Sequence, residues 1–99
     1  MDDADDLHFE WDDAKAASNL ARHGVAFEAA AAVFDDPARL EEDDLFAREE
    51  YRTIMIGAVD GMVLTVVYAE PEEARIRIIS ARLASANERK AYEQNLLHP

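Results

Sequence analysis

YRTIMIGAVDGMVLTVVYAEPEEARIRIISARL, residues 51–83, decides how this chain folds. From Tyr51 the side-chain pattern shifts to a period of two, the repeat of a strand. The run is broken twice. Val59-Asp60-Gly61 carries an Asp-Gly pair, a strong hairpin signal because such turns need positive φ at both central residues. Pro71-Glu72-Glu73 makes the second turn. The stretch therefore reads as strands at Tyr51–Ala58, Met62–Ala69 and Ala74–Leu83. Strands joined this closely form an antiparallel meander.

On the C-terminal side, Ser85-Ala86-Asn87-Glu88 fits the capping-box pattern S-x-x-E, so a helix runs from there to about Leu97. On the N-terminal side, Leu40 to Phe46 is acidic, with a short edge strand at Arg39–Glu41. Asp35-Asp36-Pro37 stops a helix over Phe27–Phe34 that is apolar on most sides and so buried. An earlier helix is capped by Asp12 or Asp13 and closed at His23-Gly24, with Ala14, Ala17, Leu20 and Ala21 as its apolar stripe and Lys15, Ser18 and Arg22 outward. Leu7-His8-Phe9-Glu10-Trp11 alternates like a short strand. Met1–Asp6 carries four aspartates and reads as a disordered acidic tail. The order predicts an α+β fold in a single domain over residues 7–97. Its sheet is antiparallel and twisted, a three-strand meander plus the N-terminal strand, with two N-terminal helices and one C-terminal helix against one face.

Composition removes several classes of function. The 99 residues contain no cysteine, so disulfides and thiolate metal sites are excluded. His8, His23 and His98 do not form a metal-ligand spacing, and there is no glycine-rich phosphate loop or other cofactor motif. No apolar run is long enough to cross a bilayer and the start is acidic, so a cytoplasmic protein is expected. The formal net charge is −12, all of it in residues 1–50, where sixteen Asp/Glu face four Lys/Arg. Residues 51–99 hold six of each sign. Such asymmetry points to two surfaces with different partners.

Against that background Arg75, Arg77 and Arg82 are concentrated on the most β-prone run. With strict alternation, Arg75, Arg77 and Ile79 share one face, and Ile76, Ile78, Ser80 and Arg82 the other. Arg77 and Arg75 then lie on the open face, Arg52 beside them, and Arg82 reaches the rim. Guanidinium groups so placed can grip phosphate oxygens bidentately. The competing account pairs them with Glu50, Glu70 or Glu72. His23 closes a helix, where a cation suits the carbonyl end, or it serves as an acid or phosphate contact. Glu88 is occupied by the capping box, and Arg89 and Tyr92 follow it on the last helix. Trp11 and Tyr68 either fill the core or stack on bases. A metal-dependent nuclease built on Asp35, Asp36, Asp43 and Asp44 is the weakest reading, since adjacent acids on loops are usually solvated.

The whole pattern resembles the BrnT family, the toxin halves of type II toxin–antitoxin pairs. Its carriers are Phe9-Glu10-Trp11-Asp12, Lys15, Asn19-Leu20, Arg22-His23-Gly24-Val25, Phe27-Glu28-Ala29, Val33-Phe34-Asp35-Asp36-Pro37, Arg77-Ile78-Ile79-Ser80-Ala81-Arg82, Glu88-Arg89 and Tyr92. The resemblance implies a RelE-like fold and a metal-independent, cofactor-free ribonuclease that blocks translation. It implies a BrnA-like ribbon-helix-helix antitoxin as partner, contact with DNA only through that antitoxin, and no membrane association. It places His23, Arg52, Arg77, Ser80 and Arg82 on the catalytic surface, with Arg75, Arg89 and Tyr92 as RNA contacts. The alternative is a non-catalytic or weakly catalytic relative whose main role is complex formation with a basic partner. RNA binding normally draws on basic surface, so a chain this acidic must offer a local basic patch.

Overall fold

The computed structural model describes residues 6–48 and 50–97. The acidic tail expected over Met1–Asp6 therefore lies almost wholly outside the described residues. Along the chain come β1 (His8–Glu10), α1 (Asp13–His23), α2 (Phe27–Ala32), a 3-10 turn (Val33–Asp35), β2 (Leu40–Asp43), β3 (Thr53–Val59), β4 (Met62–Glu72), β5 (Arg75–Leu83) and α3 (Ala86–Leu97). The strands form one five-stranded sheet in the order β1-β5-β4-β3-β2.

The three strands of the meander are as expected, but the second turn is not at Pro71-Glu72-Glu73: β4 runs on through Pro71 to Glu72, and the turn falls at Glu73–Ala74, with Ala74 at φ 65°. The β3–β4 turn has Asp60 at φ 50° and Gly61 at φ 80°, the doubly positive geometry that matches the strand twist. The short edge strand is present as β2, antiparallel to β3 with Leu40 opposite Ile56. The N-terminal strand differs from its neighbours. β1 runs parallel to β5, with Phe9 opposite Ile76. Everything from α1 to β4 intervenes between them, which supplies the long crossover a parallel pair requires.

One face of the sheet carries the core. Phe27, Ala30, Val33 and Phe34 from α2 and the 3-10 turn pack against Met55, Leu64, Val66, Tyr68, Ile76 and Ile78. Phe34 sits between Phe9 and Tyr68 in two edge-to-face contacts, at 5.2 and 4.9 Å. Burying each such side chain contributes about 1.5–3 kcal/mol. Gly57 of β3 faces this layer so closely that a Cβ would lie 2.6 Å from Val33 Cγ1.

Two expectations about the helices need correction. α3 lies against the opposite face, over Leu40, Ile54 and Ile56, so the helices do not share one side. Ile54 and Ile56 alternate with Met55 and so give that face apolar ground of its own. Nor does α1 bury its alanine stripe. Ala14, Ala17, Leu20 and Ala21 are exposed, while Asn19 is buried and Ala16 packs against the core. The reason is where α1 sits: it covers the edge of β5 beyond the short β1, and a strand edge demands hydrogen bonds rather than hydrocarbon. Asn19 provides them, as described below.

Candidate active site

β5 does not alternate strictly. Ser80 pairs with Val67 and Ile78 with the next residue, Tyr68, so Ile79 is the extra residue of a β-bulge. A bulge reverses the facing of all that follows. Ile76 and Ile78 face the core before it, and Ala81 is buried after it. Arg77, Ser80 and Arg82, opposite Ala69, Val67 and Thr65, therefore share the second face. This corrects the reading that put Arg77 on one side and Ser80 with Arg82 on the other.

Arg52, Arg75 and Arg77 are held by carboxylates. Arg77 Nε donates to Glu10 Oε2 at 3.0 Å and Nη1 to Glu50 Oε2 at 3.4 Å. Glu50 also lies 4.0 Å from Arg52 Nε, so one carboxylate brings Arg52 and Arg77 together. Arg75 reaches Glu10 at 3.5 Å and Glu72 at 3.3 Å. The anticipated partners Glu50 and Glu72 are thus in place, while Glu70 instead accepts from the backbone of Ala74. Glu10 was missed, although a parallel β1 sets it directly opposite Arg77. These arginine side chains remain 33–48% exposed, so the pairs are screened and weak.

Arg82 meets a different carboxylate. It forms two hydrogen bonds to Glu88, whose other contacts complete the capping box with Ser85. The Arg82 guanidinium is the main reason that the Glu88 pKa falls to about 2, assisted by the Ser85 N–H and opposed by burial.

A recess of about 190 Å³ opens between α1 and β5. Lys15, Ser18, Asn19, Arg22 and His23 line it from the helix, and Ile79 and Ser80 from the strand. Gly24, at φ 70°, closes α1 and sets His23 at its end. Asn19 forms the inner wall. It donates to Val25 O at 2.9 Å and Ala81 O at 2.8 Å, and accepts from Ala81 N at 3.1 Å. One side chain so replaces a missing neighbouring strand. Ser80 belongs both to this recess and to the arginine face.

The remaining candidates lie elsewhere. Arg89 is exposed on the first turn of α3. Tyr92, expected to touch RNA, is buried at 5% exposure and donates its hydroxyl to Asp36 Oδ2 at 2.5 Å. A ring enclosed in this way props α3 and offers no face to a base. Burial and that bond push its pKa to about 12. Tyr68 is core, and Trp11 packs edge-on against Phe27. The loop aspartates are dispersed: Asp36 accepts from Ala38, Ala58 and Tyr92, Asp43 from Tyr51, and Asp44 from Phe46. Burial opposes ionisation of Asp36, but its hydrogen bonds outweigh that and lower its pKa. Among the described residues no three His, Asp or Glu side chains gather as a metal site requires, and no helix is long and apolar enough to cross a membrane.

Comparison with known proteins fits this geometry into a family. Residues 11–88 match the family model described as the ribonuclease toxin, BrnT, of type II toxin–antitoxin systems. The chain belongs to the BrnT family. The match takes in α1, the Ile79 bulge and the Arg82–Glu88 pair, so every feature of the site except Glu10 falls within the BrnT segment. Among solved structures, the 1.1 Å crystal structure of the Brucella abortus ribonuclease toxin, BrnT, is similar in fold. It has a TM-score of 0.62 at 23% sequence identity, covering 80% of this chain and 97% of that one. No curated protein sequence matches. A BrnT toxin of a type II system has an antitoxin as its partner.

Proposed function

We propose that this chain cleaves RNA without a metal ion, by attack of a ribose 2′-hydroxyl on the adjacent phosphorus. The new P–O2′ bond forms as the P–O5′ bond breaks, leaving a 2′,3′-cyclic phosphate and a 5′-hydroxyl. The 2′ proton passes to a base, and the departing 5′ oxygen takes one up. Arg77, Arg82 and Arg52 stabilise the charge that builds on the phosphoryl oxygens, and His23 transfers a proton beside Ser80. The observation that carries this reading is the Ile79 bulge, because it sets Arg77, Ser80 and Arg82 on one face while Ser80 also borders His23. The carboxylates on Arg52, Arg75 and Arg77 are no obstacle, since exposed ion pairs of this kind contribute only about 0–1 kcal/mol and exchange readily for a phosphate.

The neutralising partner in this reading is a BrnA-like ribbon-helix-helix antitoxin with a basic segment. The acidic edge strand β2, with exposed Glu41, Glu42 and Asp43, suits such a segment, and reversal of those charges weakens the complex without altering toxicity. Cleavage is tested with a labelled RNA, the purified chain free of antitoxin, low salt and a chelator. Fragments ending in 2′,3′-cyclic phosphate, lost in Arg77→Ala, are expected. Intact RNA with folded protein would leave complex formation with a basic partner as the main role.

A further inference from the structure

An RNA strand approaching a chain of net charge −12 gains most from cations that no acid already answers, because no ion pair has to be exchanged there. Arg52, Arg75, Arg77 and Arg82 are each matched to a carboxylate. The recess between α1 and β5 is different. Lys15, Arg22 and His23 line it and take part in none of the ion pairs formed among the described residues. Ser18 and Ser80 add two hydroxyl donors from opposite walls. Lys15, Ser18 and Arg22 follow at helical spacing along one side of α1, a row about 10 Å long.

Helix electrostatics explains only part of this set. Arg22 and His23 lie in the last turn of α1, where cations offset the carbonyl end. Lys15 is in the first turn, where a cation is unfavourable, and Ser80 is not on the helix at all. The rigid wall behind them is also specific, since Asn19 fixes the helix to the strand by two hydrogen bonds with Ala81 and to Val25 by a third.

We propose that this recess is a second phosphate subsite, which holds the RNA backbone next to the bond being broken. It rests on the ribonuclease reading and deepens it. Lys15 and Arg22 grip the phosphodiester, Ser18 and Ser80 donate to it, and the strand passes over Ser80 onto the face of Arg77 and Arg82. Contacts of this kind set register and carry no base sequence, so the ligand class is single-stranded RNA read through its backbone.

The test uses the purified full chain and a fluorescent oligonucleotide with 2′-O-methyl riboses, which binds but has no hydroxyl to attack. Affinity is measured from about 25 to 200 mM salt for the parent, Lys15→Gln, Arg22→Gln and Lys90→Gln, the last removing an exposed charge from α3. Each of the first two variants is expected to weaken binding and to flatten the slope of log affinity against log salt by ~0.7. Lys90→Gln should leave both unchanged. Loss in Lys15→Gln and Arg22→Gln no greater than in Lys90→Gln, or a parent that does not bind, overturns the subsite. If the parent still cleaves ordinary RNA in that case, the ribonuclease reading stands without it. Binding that depends on Lys15 and Arg22 in a parent that cleaves nothing keeps the subsite and sinks the catalytic reading.

Discussion

Arg82 closes on Glu88 with two hydrogen bonds, Nη1 to Oε1 at 2.7 Å and Nη2 to Oε2 at 3.0 Å. The same carboxylate accepts from Ser85 N at 2.8 Å, so one side chain fastens β5 to the start of α3. Arg82 is thereby positioned at the rim of the second face, and α3 is held by a group that belongs equally to the site.

Glu88 should make stability depend on acidity. Its pKa of about 2 lies below the ordinary 4.5, so its contribution is whole above pH 4.5 and is lost as the pH falls toward 2. Glu88→Gln keeps an acceptor for the Ser85 N–H and loses only the ion pair, a change of about 1 kcal/mol or less at pH 7. Glu88→Ala loses the cap as well, about 1–2 kcal/mol. Urea midpoints measured at pH 7 and pH 3 should show the gap between parent and Glu88→Gln narrowing in acid. A gap of constant size would mean that the pair does not stabilise the fold.

Asn19 is expected to be more costly to change than its position on a helix suggests. Asn19→Ala strands the N–H and C=O of Ala81 and the C=O of Val25, a loss of about 2–4 kcal/mol. Asn19→Asp keeps the acceptor for Ala81 N–H but turns carboxylate oxygen toward two carbonyls. That variant should regain stability as the pH drops and the carboxyl protonates. Thermal unfolding of both variants between pH 4 and pH 8 checks this.

Glu50 restrains Arg52 and Arg77 together. Glu50→Gln should tighten binding of the 2′-O-methyl oligonucleotide by roughly 2- to 5-fold, the scale of an exposed ion pair. It should also steepen the salt dependence, because two guanidinium groups become available to phosphate. Weaker binding would mean that Glu50 holds the arginines in their working positions.

The meander, its Asp60-Gly61 turn, the capping box and the glycine that ends α1 could all be read from local residue types, since each depends on a few neighbours in the chain, whereas Pro71 suggested a turn two residues before the one at Glu73–Ala74. What could not be read depended on distant partners. Ile79 resembles any other strand residue, and only the pairing of Ser80 with Val67 shows it to be an insertion. Asn19 was part of the family pattern, yet its function is set by Ala81, 62 residues away. The alanines of α1 suggested a buried stripe because periodicity reports amphipathicity and not the character of the surface that the helix meets. Nothing in the chain around Tyr92 signals that Asp36, 56 residues away, lies across from it and takes its hydroxyl.

The bulge carries one further lesson about how this protein tolerates change. Substituting a residue of β5 alters one side chain. Taking Ile79 into regular pairing would turn Ser80 and Arg82 inward and Ala81 outward, whereas deleting it would not, since Ile78 and Ser80 already pair with consecutive residues of β4. The separation between chemistry and core in this strand is thus fixed by where its pairing skips a residue as much as by which residues it contains.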